Sequence, residues 1–224
     1  MKNKLTLLLL SAALTAGVSC KKDTTNEAET KDAVEAADTG AEAQNYTVDT
    51  QNSIINWTGS KPTGKHTGTI KLHEGQFYVS NDSVTGGAFA IDMKSITVTD
   101  LQPGDGKEDL ENHLKGISDE EKQDHFFNTT KYPNGKFEIT KVGTENGKTI
   151  VEGNLTLKDV TKNIKFPAVI TVANNTVSLE SEPFKINRVL WNVNYSSKSV
   201  FDNLGNQYID DDIELKVSVK ANKG

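Results

Sequence analysis

Short runs of alternating apolar and polar residues occupy most of the chain after residue 45. In Ser53–Ser60, Ile55 and Trp57 fall on one face, and in Ile213–Lys220 every second residue is apolar. The segments 151–157 and 164–172 show the same alternation. A period of two over many segments is typical of antiparallel strands with one buried face and one solvent-exposed face. Gly- and Asn-rich turn signals separate the runs, as at Glu145–Gly147.

One interval departs from this alternation. Between Asp105 and Asn128, Leu110 and Leu114 lie four residues apart, and Ser118 begins a sequence with the spacing of a capping box. Phe126 and Phe127 follow at the far end of the interval. The pattern predicts one or two short helices inserted in an otherwise all-β domain.

The fold class follows from the number of strands. About eight strands with single-sided burial favour an antiparallel sheet that closes into a barrel or folds into a sandwich, because two helices cannot cover a large sheet. A sandwich fills its interior with its own side chains, whereas a wide eight-stranded barrel can leave room for a ligand. Alternation alone does not separate the two architectures.

Composition and charge exclude several classes of protein. The 224 residues carry 25 basic and 31 acidic side chains, a formal net charge of −6, so no basic face for nucleic acid is expected. The single cysteine cannot form an intrachain disulfide or a Cys-rich zinc site. The mean hydropathy of −0.52 argues against a polytopic membrane protein.

The N-terminus has the features of an export signal. Lys2 and Lys4 precede a mostly apolar run from Leu5 to Val18, which is too short to span a bilayer. The run ends at Cys20, and small residues before a cysteine resemble a bacterial lipoprotein processing site. We predict a signal peptide over residues 1–19, lipidation of Cys20, and a periplasmic or surface location in the cell envelope. The alternative is a soluble exported protein with an unmodified thiol.

Residues 20–44 are predicted to be a lipidated cysteine followed by a disordered acidic tether. Residues 21–44 hold seven acids and three lysines, and Val34 is the only apolar side chain larger than alanine. Such a segment buries too little surface to offset its ordering entropy. A short helix around Ala33–Ala37 is the alternative. Residues 45–224 contain all 15 aromatic residues and show no second break in composition, which indicates one domain.

Candidate chemistry in the domain is sparse. The four histidines, at positions 66, 73, 113 and 125, lack the spacing of a metal site, and no nucleotide-binding or hydrolase motif is present. We expect no metal, no cofactor and no catalytic residue. Arg188 is the only arginine and lies close to Trp191, so it either forms a buried structural contact or meets an anionic headgroup.

The order of several motifs resembles the YceI-like family. Trp57–Gly59, Gly87–Ile96, Asp124–Phe127, Gly153–Lys162 and Asn187–Trp191 follow the family pattern, and the likeness runs from about Tyr46 to Ala221. The resemblance implies a lipocalin-like antiparallel barrel that encloses a long apolar tunnel. It also implies binding of a polyisoprenoid or similar amphiphilic lipid. A homodimer is left open.

The ligand-binding residues are predicted from the aromatic and aliphatic positions of the strands, with His66 and Arg188 near polar ends. The set is Trp57, His66, Phe89, Phe126, Phe127, Phe137, Leu155, Leu157, Phe166, Phe184, Arg188 and Trp191. Three hypotheses follow. The first is a membrane-anchored carrier or reservoir for an apolar lipid, and the second is a solid-cored interaction or stress lipoprotein without a ligand. The third, an enzyme, would need His66, His113 or His125 beside carboxylates at a cavity mouth.

Overall fold

The computed structural model describes residues 26–40 and 42–224. The predicted signal peptide, Cys20 and the start of the predicted tether lie outside these residues. In the described part, eleven strands form one antiparallel sheet. The strands are, in chain order, β1 (Glu29–Asp32), β2 (Gln44–Val48), β3 (Ile54–Lys61), β4 (Gly64–Ser80), β5 (Ser83–Val98), β6 (Asn134–Glu145), β7 (Lys148–Leu157), β8 (Val160–Ala173), β9 (Thr176–Ser181), β10 (Phe184–Asn187) and β11 (Asp212–Lys223).

Eight of these strands form a closed ring. From β3 to β9 each strand pairs with the next, β9 pairs with β11, and β11 pairs back with β3. Closure removes the unpaired edges that an open sheet would expose. The predicted lipocalin-like barrel of about eight strands is therefore confirmed, and the sandwich is excluded.

The remaining three strands complete the wall where the ring strands are not in contact. β2 and β3 lie one after the other between β4 and β11, and each of them pairs with both of these strands. At the end of the barrel that carries the long loops, β10 pairs with the first residues of β11. β1 then pairs with residues 162–165 of β8, and Glu27 bridges Lys185 of β10. β1 therefore closes the seam between β8 and β10.

Residues 26–40, which we call the strap, include β1 and then continue across the outer face of the neighbouring strands. The N–H of Ala28 donates to the carbonyl of Lys185 at 2.8 Å. Further on, the Asn154 side chain donates to the carbonyl of Val34 at 2.7 Å and accepts from its N–H at 3.2 Å. The N–H of Ala37 then donates to the carbonyl of Ile139 at 3.3 Å. The strap thus crosses from β10 over β8, β7 and β6.

The prediction of a disordered tether is wrong for the strap. Its apolar content is low, as the sequence indicates, but its backbone pairs with a strand edge that has no other neighbour. Exposed ion pairs flank this pairing, including Lys162–Asp32 at 2.9 Å and Lys31–Glu152 at 3.2 Å. Each contributes modestly. Residues 33–40 are not helical either, so the alternative of a helix around Ala33–Ala37 is also wrong.

The insertion between β5 and β6 contains one α-helix, α1 (Lys107–Lys115), and a 3₁₀ turn at Glu120–Lys122. α1 ends at Gly116, whose φ of 71° lies in the left-handed region that favours glycine. The cap of the 3₁₀ turn is Asp119 rather than Ser118, and its carboxylate accepts from the N–H of Lys122 at 2.9 Å. None of the helices in the described ranges is long and apolar enough to cross a membrane.

Candidate functional site

The interior of the barrel contains a small cavity lined only by apolar side chains. Its volume is about 70 Å³. The lining residues are Ile55, Leu72, Phe77, Phe89, Ile91, Phe137, Leu155, Ile164, Phe166, Leu179, Phe184, Leu215, Val217 and Val219. Ligand pockets usually measure roughly 300–1,000 Å³. The expected long tunnel is therefore replaced by a cavity that a long hydrocarbon tail does not fit at these side-chain positions.

A chain of five phenylalanines accounts for the small volume. Phe77 meets Phe89 edge-on with ring centroids 4.9 Å apart, and Phe89 lies 6.3 Å from Phe137. Phe137 lies 5.8 Å from Phe166, which stacks on Phe184 at 4.4 Å and an interplanar angle of 6°. The rings extend in an unbroken row through the interior, and they occupy the space that a wider barrel would leave open.

Glycines in the wall allow two of these rings to lie close to the backbone. A Cβ on Gly153 would meet the ring of Phe137, and a Cβ on Gly75 would come within 2.7 Å of the ring of Phe89. Real Cβ atoms do not approach this closely, so only glycine fits at either position. The rings of Phe89 and Phe137 are thereby held against the wall.

The structure places five of the predicted binding residues on the cavity. They are Phe89, Phe137, Leu155, Phe166 and Phe184. Trp57 is buried on the same strand face as Ile55 and pairs with Leu215, so it borders the cavity without lining it. Its indole N–H has no hydrogen-bond partner in the described part of the chain.

Four further predicted residues are buried but do not line the cavity. Phe127 lies beneath α1, where its N–H donates to the carbonyl of Leu114 at 3.2 Å. Trp191 is fully buried and donates its indole N–H to the carbonyl of Leu155 at 3.0 Å. Phe126 and Leu157 are buried as well. These side chains belong to the packed core beyond the cavity.

Arg188 is a structural residue in this fold. It is 2% exposed, and its guanidinium donates to the carbonyls of Val193, Ile209 and Asp210 at 2.5, 3.0 and 3.0 Å. Asp211 lies 3.8 Å from the same group. Burial lowers the pKa of Arg188, and the two neighbouring carboxylates oppose that shift. These contacts hold the loop between β10 and β11, so the prediction of a polar ligand contact has no support here.

His66 is also remote from the cavity. Its Nδ1 lies 2.9 Å from the carboxylate of Asp100, and both side chains are about one-third exposed. The pKa of Asp100 is lowered overall: partial burial raises it, and hydrogen bonds from the Thr67 N–H and from His66 outweigh that effect. The pair fastens the ends of β4 and β5 at the surface.

His113, on α1, and His125, which follows the 3₁₀ turn, form a second polar cluster. His113 Nε2 lies 2.8 Å from His125 Nδ1, and the ring of His125 stacks on Tyr195 at 4.0 Å. Burial, and then the charge of His125, lower the pKa of His113. Among the described residues, no carboxylate forms an ion pair with either ring, and no group of three or more potential metal ligands is present.

The sequence interpretation missed nine of the lining residues. Three of them, such as Ile55 on the strand of Trp57, share the inward parity of a predicted residue on the same strand, and three more, such as Val217, lie on the apolar side of the alternation in β11. The choice of mainly aromatic side chains left these aliphatic residues out, although the alternation already placed them on the buried face.

Comparisons with known proteins agree with this fold. The family model of the YceI-like domain matches residues 46–221. The structure of BcnA from Burkholderia cenocepacia is 18% identical, with a TM-score of 0.59, over 78% of this chain and 99% of that one. A polyisoprenoid binding domain from Saccharophagus degradans is 13% identical, with a TM-score of 0.54, over 80% and 98% of the two chains. The search of curated proteins finds no match.

Proposed function

Because the chain belongs to the YceI-like family, we propose that it binds a long-chain apolar lipid, such as a polyisoprenoid, inside its barrel. The observation that carries the proposal is the lining of the cavity, which presents no polar side chain over fourteen positions. Such a surface provides burial without hydrogen bonds, which suits a hydrocarbon tail. The related domain from Saccharophagus degradans, described as polyisoprenoid binding, supports this choice of lipid class.

Binding requires the phenylalanine chain to move. A five-carbon prenyl unit gains up to roughly 4 kcal/mol on full burial, at about 0.8 kcal/mol per carbon. Several units together would offset the cost of turning rings away from one another and of ordering the tail. Phe89 and Phe137 lie against wall glycines, and rotation of the other rings about their side-chain bonds would open a channel between them.

Native mass spectrometry tests this proposal directly. The protein, purified without harsh detergent and then incubated with a C40 polyprenol, is expected to retain one lipid per chain. The variant Phe166→Trp adds bulk inside the cavity and is expected to lose the adduct. An exposed control, Val169→Trp on the outer face of β8, is expected to keep it. A wild-type protein that stays lipid-free with every long-chain lipid offered contradicts the proposal.

The small cavity supports a second candidate function, an interaction module with a filled core. Its interior would then be ordinary packing, and the partner would bind the outside. The variant Phe137→Ala separates the candidates. If the wild type takes up no lipid but Phe137→Ala does, the phenylalanine chain is a permanent filling and the module is favoured.

We also propose that the protein is a lipoprotein of the bacterial cell envelope, anchored in a membrane through Cys20, where it stores or transports its lipid. The sequence around Cys20 supports this. The strap begins at residue 26, so about six residues would join the anchor to the barrel, with a maximal reach of about 20 Å. Incorporation of labelled fatty acid into the wild type, and its loss in Cys20→Ser, is the expected result; equal labelling of both contradicts it.

A further inference from the structure

The barrel wall has a gap on one side. β2 ends at Val48 and β3 begins at Ile54, and both lie between β4 and β11. On β4, Ile70 pairs with Ile55 and Gln76 pairs with Thr47, so residues 71–75 have no partner strand on this side among the described residues. We call this opening, between residues 49–53 and residues 71–75, the window.

The opposite margin of the window is closed by hydrogen bonds. The N–H of Asp49 donates to the carbonyl of Lys220 at 2.8 Å, and the N–H of Lys220 donates to Ser53 Oγ at 3.0 Å. The loop of residues 49–53 is therefore fixed to β11. The wall is open only on its β4 side.

β4 is also irregular at the window in its pairing with β5. The register shifts between Thr69 and Lys71 and again between Leu72 and Glu74. The N–H of Lys71 donates to Ser95 Oγ at 2.8 Å instead of to a strand carbonyl. Such bulges re-aim side chains and are frequent beside binding sites. Here they surround Leu72.

A surface groove of about 610 Å³ lies over the window. Five of its seven lining residues are polar, although apolar atoms contribute about half of the surface; the residues are Thr50, Gln51, Asn52, Ser53, Ile54, Lys71 and Leu72. Leu72, which is 5% exposed, lines both this groove and the apolar cavity. Ile54 faces the groove, and its neighbour Ile55 faces the cavity. One layer of side chains thus separates this groove from the interior.

The groove offers hydrogen-bond donors and a positive charge. Lys71 is exposed and has no ion-pair partner in the described part of the structure. Two acids lie nearby. Asp49 is turned toward its own loop, where it accepts from the N–H of Gln51 at 3.1 Å and from Asn52 Nδ2 at 2.8 Å. Asp92, the register partner of Lys71 on β5, accepts from the N–H of Lys94 at 3.0 Å. Amide, hydroxyl and ammonium donors together suit a head rich in acceptor oxygens, and an anionic head above all.

We propose that the window is the entrance to the barrel and that its groove holds the phosphate head of a lipid whose tail lies in the cavity. Leu72 is the side chain that the tail displaces. This inference rests on the proposed lipid-binding function and adds to it the class of ligand, an amphiphile with a phosphate head. It also adds the route by which the tail reaches the interior.

The first experiment tests the head site with two lipids of equal tail length, a polyprenyl phosphate and the corresponding polyprenol. Lys71→Gln is expected to weaken binding of the phosphate three- to tenfold and to change binding of the alcohol less than twofold. Lys136→Gln, at an exposed lysine of β6, is the matched control and should change neither. Inorganic phosphate alone should not compete at millimolar concentration, since the tail supplies most of the affinity.

The second experiment tests the route. In a Cys20→Ser background, Asn52→Cys carrying a bulky maleimide is expected to slow uptake of the polyprenyl phosphate at least tenfold. The same label on Asn146→Cys, in the turn between β6 and β7, should leave the rate unchanged. Leu72→Ala should increase the unlabelled rate severalfold.

The outcomes separate the two proposals. If the wild type binds neither lipid, the lipid-binding function fails, and this inference fails with it. If both lipids bind but uptake is indifferent to a label at residue 52, the function stands and the window is not the entrance. If Lys71→Gln affects the phosphate and the alcohol equally, the groove does not hold the head.

Discussion

Single residues set the shape of the barrel interior, and Gly153 is the clearest case. Its inner face is covered by the ring of Phe137, and a Cβ there would also come within 2.8 Å of the carbonyl oxygen of Glu138. The ring supplies the apolar cover that the glycine lacks. Backbone and ring positions are therefore fixed together.

We expect Gly153→Ala to lower the free energy of unfolding by about 1–3 kcal/mol, because the new methyl group overpacks this contact. Denaturant unfolding measures the change. Adding Phe137→Leu should restore part of the loss, since the ring contact is then removed. Gly143→Ala is the control, because its Cβ would have only one neighbour, at 3.7 Å. Equal losses at residues 143 and 153 would contradict the role of the ring.

His113 makes stability depend on pH. Its pKa is lowered in the folded protein, first by burial and then by the charge of His125; Lys122 adds to this effect and Asp119 opposes it. The unfolded chain then binds a proton at higher pH than the folded one does. The stabilising effect of the neutral ring is therefore present at neutral pH and is lost as pH falls below about 6.5.

We expect the wild type to lose more stability between pH 7.5 and pH 5.5 than His113→Gln does. Denaturant titrations at both pH values measure this difference. His73→Gln removes an exposed histidine and should keep the wild-type pH dependence. The role assigned to His113 fails if its variant shows the same loss as the wild type.

At the scale of elements, the strap seals the barrel without much apolar mass. Ala28 is 6% exposed, and β1, which follows it, contributes mainly backbone pairing to β8. Without it, the free edges of β8 and β10 would face each other across an open seam. Unpaired edges invite pairing with other chains.

Removal of the strap's first residues tests its contribution. A chain that starts at residue 33 is expected to be less stable than one that starts at residue 26, by about 2–4 kcal/mol, the scale of several lost backbone hydrogen bonds. It should also exchange amide hydrogens of residues 162–165 faster. Unchanged exchange in the shorter chain would show that β1 seals nothing.

Alternation in the sequence predicted the elements better than it predicted the site. Regular strands such as β11 keep a period of two, so their inward residues could be named. In β4 the bulge after Leu72 shifts the alternation, and Leu72 and Phe77 both face the interior although they lie five residues apart. The strap could not be predicted from composition, because its stability comes from a partner edge that exists only in the folded barrel.

At the scale of the whole molecule, the ring of eight strands encloses an interior whose size depends on side-chain packing. The barrel and its apolar lining could be predicted from sequence, whereas the volume could not. Volume depends on where five rings lie, and two of those rings lie against glycines that are distant in sequence. A resemblance to a family predicts the strands of the barrel wall more reliably than it predicts the volume of the interior.

A bound lipid should stabilise the entire barrel. A ligand that binds only the folded state adds about 2.7 kcal/mol at one hundred times its dissociation constant. We expect thermal unfolding of the lipid-free protein to shift upward with increasing polyprenyl lipid and not with glycerol. A transition temperature that is independent of lipid concentration would contradict binding to the folded barrel.

The strap also fixes the order in which the molecule can be completed. The ribosome makes residues 26–32 early, but the strands that receive them, residues 162–165 and 184–187, are made more than 120 residues later. The first segment of the fold to be synthesised is thus among the last to pair with its partner strands. Until β1 pairs, the seam between β8 and β10 stays open, and a nascent barrel would expose its apolar interior to any chaperone or lipid that reaches it first.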